Sequence, residues 1–151
     1  MDSKLTKKAM FSLIIFALTL LLTPINSHAV DKYWIGDSGF WDYSLNWSPP
    51  GQPQEADWVY LYQSDSTNRE VWYWNTAYPS ARLTLLGIDA IGTGTMSLLQ
   101  YKDPLLAGNE LIGQSGTGTF KQTGGTNTVT GNLYLGYYSS GSGTYELSGA
   151  G

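Results

Sequence analysis

A fixed period of glycine-framed segments constrains this chain more than any other feature. Residues 118–136, G-T-F-K-Q-T-G-G-T-N-T-V-T-G-N-L-Y-L-G, read as one complete unit. Residues 94–113, G-T-M-S-L-L-Q-Y-K-D-P-L-L-A-G-N-E-L-I-G, precede it, and Gly143-Thr144-Tyr145-Glu146-Leu147-Ser148-Gly149 opens a further copy. Gly94 to Gly118 is 24 residues and Gly118 to Gly143 is 25. Gly108-Asn109 returns as Gly131-Asn132, and Ile112-Gly113 as Leu135-Gly136. A period in the twenties marks a solenoid, in which each unit buries its apolar face only against its neighbours.

Within one unit, Thr119-Phe120-Lys121-Gln122 and Asn132-Leu133-Tyr134-Leu135 alternate in polarity, as half-buried strands do. Gly124-Gly125 and Gly131-Asn132 are expected to supply positive φ at corners. Three short strands joined by such corners make one coil of a parallel β-helix, so the expected fold is all-β. In-register stacking at about 4.8 Å predicts inward columns Met96–Phe120–Tyr145, Leu98–Gln122–Leu147, Leu106–Val129 and Leu86–Ile112–Leu135. Asn109 and Asn132 are expected to stack at one corner as an amide ladder. Gln122 is the weak member, because an inward amide needs a partner. A glycine-rich antiparallel meander also fits short strands between turns, but composition alone does not generate a period.

At the N-terminus, Lys4, Lys7 and Lys8 precede the almost wholly apolar residues 9–22, and Ser27-His28-Ala29 places small residues before Val30. This order is that of a cleaved export signal over residues 1–29, with the mature chain starting at Val30. The apolar run falls short of the roughly 20 residues that a spanning helix needs, so no membrane span is expected in the mature chain. Removing residues 1–29 takes away three lysines and one aspartate, leaving five basic and eleven acidic residues and a formal charge of −6. Such a surface does not suit nucleic acid or anionic lipid. The chain has no cysteine, hence no disulfide framework. Ser148-Gly149-Ala150-Gly151 stops inside a repeat, so an N-terminal fragment is expected, with a downstream domain or anchor missing.

All six tryptophans, Trp34, Trp41, Trp47, Trp58, Trp72 and Trp74, fall in the segment that precedes the repeats. The expected organisation is therefore a Trp-rich capping segment over residues 30–81 and solenoid repeats over residues 82–151. Trp34, Trp41 and Trp47 are expected to pack over the open end of the solenoid, where large aromatics bury most area. Trp72 and Trp74 share one strand face opposite Val71 and Tyr73, and for them two readings stand. They either seal the solenoid or form a platform on which sugar rings stack.

The run W-x-G-x-x-G-x-W-x-x-x-x-N-W-S from Trp34 to Ser48, the Pro49-Pro50-Gly51-Gln52-Pro53 loop and the G-T-G-T-F-x-Q-T-G-G and G-N-L-Y-L-G repeats resemble a class of bacterial exported proteins. These are autotransporter-type passengers and related surface proteins with a PEP-CTERM sorting tag. The resemblance covers about residues 34–151. It implies a secreted β-solenoid of adhesive or structural role, on the outer membrane surface, extracellular or in the periplasm, and no catalytic residues to carry over. Neither a translocator barrel nor a sorting tag is present, and Lys102-Asp103-Pro104 stands where the next repeat has Gly125-Thr126-Asn127.

Chemistry is sparse. The only histidine, His28, leaves with the signal, which removes Ser–His–Asp and histidine–metal arrangements. Two-carboxylate glycosidase chemistry has candidates in Asp31, Asp37, Asp42, Glu55, Asp57, Asp65 and Glu70, but most sit beside turn formers. The calcium nonapeptide is absent, since no aspartate follows Gly124-Gly125. No cofactor or metal is assigned. The expectation is a non-enzymatic exported scaffold or adhesin, with surface glycans or other copies of itself as partners. A carbohydrate-binding module is the alternative, and a glycan-degrading β-helix enzyme the third reading.

Overall fold

The computed structural model describes residues 29–74 and 82–149, and the expected export signal in residues 1–28 lies outside them. The chain is a parallel β-solenoid of about four coils. One wall begins with β1 (Asp31–Trp34) and continues through β4 (Trp58–Gln63), β6 (Arg82–Ala90) and β8 (Leu105–Ile112). It ends in β10 (Asn127–Val129) and β11 (Leu133–Leu135), both of which pair with β8. The facing wall stacks β2 (Gly39–Phe40), β5 (Arg69–Tyr73), β7 (Met96–Gln100), β9 (Thr117–Gln122) and β12 (Ser142–Leu147). Every one of these neighbours is parallel, which is the result that separates a solenoid from a meander. The antiparallel pairs are β3 (Trp47–Ser48) along the outer edge of β1 and one bridge, Ala90 with Thr117. The Trp-rich segment contributes coils of its own, because β1, β2, β4 and β5 stack directly beneath the repeats.

From β6 onward each coil has a third corner. It lies between Leu83 and Leu85 on β6 and between Ala107 and Asn109 on β8, and it separates β10 from β11. Gly108 and Gly131 stand there because a Cβ on Gly108 would lie 2.5 Å from the Thr84 carbonyl oxygen, and one on Gly131 2.6 Å from that of Gly108. Asn109 and Asn132 do align at this corner, but not as an amide ladder. The Asn132 backbone N–H donates to Asn109 Oδ1 at 3.0 Å. Positive φ falls on Gly113, Gly125 and Gly136, not on Gly124, Gly131 or Asn132.

The register departs from the glycine-based alignment. Met96 faces Gly118; it is Leu98 that meets Phe120, and Phe120 meets Tyr145. Gln100, not Leu98, aligns with Gln122, and Leu147 follows it. Ile88, not Leu86, aligns with Ile112 and Leu135, while Leu86 lies opposite Glu110. The cause is corner length: Ile88 to Met96 takes eight residues, whereas their partners Ile112 and Gly118 are six apart. A slip of two preserves which side chains face inward, since the strand period is two. Met96, Leu86, Ile112 and Phe120 are therefore buried all the same. A slip of one does not preserve it: Ala107, not Leu106, aligns with Val129, and Ala107 is the buried one. Leu135 keeps its predicted partner but is 49% exposed, as it lies on the last described layer of its wall.

The interior is mostly aliphatic, with Val59, Leu61, Val71, Leu86, Ile88, Leu98 and Ile112 fully covered. Phe120 and Tyr145 stack with centroids 4.8 Å apart and planes 5° apart. Polar side chains also face inward. Lys32 plugs the first coil, its ammonium donating to the carbonyls of Pro49, Pro50 and Gly51 at 3.0, 3.3 and 3.0 Å. Gln122 finds its partners, donating to the Gly125 carbonyl and accepting from the Tyr145 hydroxyl. Glu110 is fully buried, and Asn127 Nδ2 donates to its Oε2 at 3.0 Å while Oε1 has no hydrogen-bond partner.

Burial pushes the Glu110 carboxyl up to about 7, against only the Asn127 hydrogen bond, which acts to lower it. A carboxyl raised in the fold keeps its proton after the unfolded chain has lost its own. Stability is thus unaffected below the ordinary value of 4.5, falls as pH rises to about 7, and is fully reduced above that. The loss amounts to roughly 3 kcal/mol. Urea unfolding of the wild type between pH 4 and pH 8 is expected to show this decline, and Glu110→Gln is expected to flatten it. A wild-type midpoint independent of pH across that range contradicts the assignment.

Candidate functional site

The outer surface of the β2–β5–β7 wall carries two adjoining aromatic clefts. In-register pairing sets Phe40 beside Trp72, with ring centroids 5.0 Å apart at 68°. Strand alternation turns Val71 and Tyr73 into the core and leaves Trp72 and Trp74 on the outer face, as the sequence spacing implies. Trp74 is 44% exposed and leans on Tyr101 at 5.2 Å. Phe40 and Asp42 belong to two adjoining clefts of about 460 Å³ each. Trp72, Tyr43, Asn46 and Ser38 line the first, and Trp74 and Lys102 the second. The surface combines indole and phenyl groups with a carboxylate, an amide, hydroxyls and one ammonium. That is the composition expected of a small-molecule or glycan subsite.

Contacts along the outer face hold the Trp72 indole in place. Trp72 Nε1 donates to Glu70 Oε1 at 2.9 Å, and Lys121 Nζ reaches Glu70 Oε2 at 3.1 Å. The Glu70 backbone N–H donates to Ser38 Oγ at 3.0 Å, which ties the β2 loop to β5. Partial burial pushes the Glu70 carboxyl up, but the hydrogen bonds from Trp72 and Lys121, with the Lys121 charge, bring it below the usual carboxylate range. Glu70 is therefore committed to positioning the indole. Arg69 forms a paired contact with Asp65, both at 2.8 Å, and lies 3.8 Å from Asp37.

Trp34, Trp41 and Trp47 lie apart from the clefts, buried in the first coil. Trp47 sits edge-on to Trp34 at 5.1 Å and to Trp41 at 4.9 Å, and Trp41 meets Tyr73 at 5.1 Å. Two of the indole N–H groups donate to backbone carbonyls, Trp34 to that of Asp37 and Trp47 to that of Trp41. The seven carboxylates named from sequence are not gathered together. Asp42 alone lines the clefts. Asp31 accepts from Tyr33, and Asp57 and Asp65 accept backbone N–H groups. Glu55 is solvent-exposed. Two-carboxylate hydrolysis needs an opposed pair, which the lining of these clefts does not supply. Among the described residues no group of three or more His, Cys, Asp or Glu is placed to hold a metal.

Sequence reasoning singled out Trp72 and Trp74 as an aromatic pair and Asp42 as a candidate carboxylate, but not Phe40, Tyr101 or Lys102, which lie beside them. A signal for Tyr101 exists: it lies 27 residues beyond Trp74, the same step that links Val71 to Leu98. Phe40 was hidden by the 32-residue step to Trp72, which contains β3 and the proline loop. A second aromatic surface runs along the other wall, where Tyr33 and Tyr60 stack at 5.0 Å and 16° and Tyr62 donates to Gln114. Tyr33 and Tyr62 remain exposed on this wall, but the two clefts at Phe40 and Asp42 lie on the other one. Comparison with known proteins finds no matching family model, no matching curated protein and no matching solved structure.

The two tryptophan sets differ in what their removal does. Trp47→Ala is expected to cost about 3–5 kcal/mol in urea unfolding, since a fully buried aromatic leaves a cavity. Trp74→Ala is expected to cost less than about 1 kcal/mol, as an exposed position does. Equal losses for the two variants contradict the division between core and surface.

Proposed function

We propose that this chain is part of an exported, non-enzymatic β-solenoid that acts as a scaffold or adhesin and holds neutral glycans on the Phe40–Trp72–Trp74 face. The observation that carries this reading is the pair of adjoining clefts meeting at Phe40 and Asp42, with one indole in each. Aromatic side chains offer apolar faces to sugar rings, while Asp42, Asn46, Tyr43 and Ser38 offer hydrogen bonds to hydroxyls. The acidic chain, with formal net charge −4, favours neutral over acidic polysaccharides. The leader-like N-terminus supports export, with action at the outer membrane surface, outside the cell or in the periplasm. Ladder bonding supplies stiffness, and contacts repeated along a rod or between copies of the chain add avidity to weak individual sites.

The experiment is affinity electrophoresis in gels containing mannan, xylan or mixed-linkage β-glucan, with polygalacturonate as the acidic comparison. Wild type is expected to be retarded by at least one neutral polymer, and Trp72→Ala/Trp74→Ala to lose at least tenfold in apparent affinity. Each aromatic stack is worth roughly 1–2 kcal/mol, by analogy with base–aromatic stacking. A double mutant that remains folded and binds as wild type overturns the assignment of this face. A wild type retained by none of the neutral polymers overturns the neutral-glycan reading.

A further inference from the structure

The first interstrand contact of the solenoid joins two residues that the glycan-binding face does not involve. Asp31 lies opposite Trp58 at the start of the β1–β4 ladder, which sets Val30 across from Asp57. The Val30 backbone nitrogen is 2.9 Å from Asp57 Oδ1. Asp57 Oδ2 accepts from the Gln54 backbone N–H at 2.8 Å, and the Val30 carbonyl accepts from Trp58 N–H at 3.1 Å. Asp57 is only 3% exposed. Among the described residues no lysine, arginine or histidine forms an ion pair with it. A buried carboxylate without a counter-ion is an expensive feature, and its usual remedy is a nearby cation.

The sequence places small residues, Ser27 and Ala29, on the acyl side of this same nitrogen, behind a basic and then an apolar stretch. Two independent observations therefore meet at one atom. We propose that the Ala29–Val30 peptide bond is a processing site and that the α-ammonium released on Val30 becomes the counter-ion of Asp57. This rests on the export reading above. The step is a hydrolysis by an endopeptidase with small-residue preference. The bond between the Ala29 carbonyl carbon and the Val30 nitrogen breaks, and water oxygen bonds to the carbon to leave the Ala29 carboxylate. The nitrogen departs as an amine and is protonated. A neutral N–H···O contact is thereby replaced by a charge-assisted one. The 54–57 turn that launches β4 already holds Val30 before cleavage, and the new charge strengthens that contact once the leader is gone, so processing stabilises the first coil.

Two measurements test the two halves. Intact mass and N-terminal sequencing of the secreted protein are expected to give Val30 as the first residue. Secretion with a different first residue overturns the processing site while leaving export standing; a retained chain with Met1 intact overturns both. For the ion pair, the chain beginning at Val30 is compared with one that keeps Ala29 as an added residue, both released from a fusion without scar. The Val30 form is expected to melt about 3–6 °C higher, and the gap to vanish in Asp57→Asn. Should that variant not fold, acetylation of the Val30 amine removes the charge without touching Asp57 and is expected to abolish the same gap. Equal melting of the two forms, or a gap that survives acetylation, overturns the pairing.

Discussion

Parallel stacking of coils in fixed register is the constraint on which the rest of this structure depends. Each backbone N–H and C=O on a wall finds its partner in the coil above or below, so a residue's neighbours are decided by corner lengths and not by local preference. Columns follow from this: Val71, Leu98, Phe120 and Tyr145 line up inside, while Phe40, Trp72, Leu99 and Lys121 line up outside. The inner columns provide burial and the outer ones provide the surface. The Phe40–Trp72–Trp74 face exists because the ladder that buries Val71 and Tyr73 must present their neighbours outward.

The same constraint explains where polar groups are tolerated inside. Gln100 and Gln122 occupy an inward column next to corners whose carbonyls turn towards them, at Asp103, Thr126 and Gly125. Lys32 survives at the end of a column because the proline-glycine loop folds its carbonyls over the ammonium. Glu110 has the poorest accommodation, one donor for two oxygens, and it is the residue through which pH reaches the core. At the opposite end, Leu133, Leu135 and Leu147 belong to these same inward columns but are exposed on the last described layer.

Much of this was legible in the sequence, for definite reasons. The period of the glycines revealed the parallel solenoid, and alternation correctly separated Val71 and Tyr73 from Trp72 and Trp74. The inward identity of Met96, Leu98, Phe120 and Ile112 also followed, because a two-residue slip leaves facing unchanged. The exact pairing did not follow. Gly94-Thr95 and Gly118-Thr119 look equivalent, but the corner after Ile88 holds two more residues than the one after Ile112. Leu106 was misplaced by one residue, where parity gives no protection. The clefts were half legible: the tryptophans stand out by type, whereas Phe40 and Asp42 reach them only through a 32-residue coil whose length nothing in the repeats foretells.

The register is tested most directly with engineered cysteine pairs, since the chain has none of its own. Leu99 and Lys121 are direct partners on adjacent parallel strands and face outward. Their Cα separation falls in the range a disulfide can bridge. Leu99→Cys with Lys121→Cys is expected to oxidise to a near-complete intramolecular disulfide in the folded chain. Ser97→Cys with Lys121→Cys, the pair that the glycine alignment would join, is expected to remain largely reduced. The reverse outcome, efficient closure of the second pair and not the first, contradicts the register and with it the columns on which both the core and the aromatic face are built.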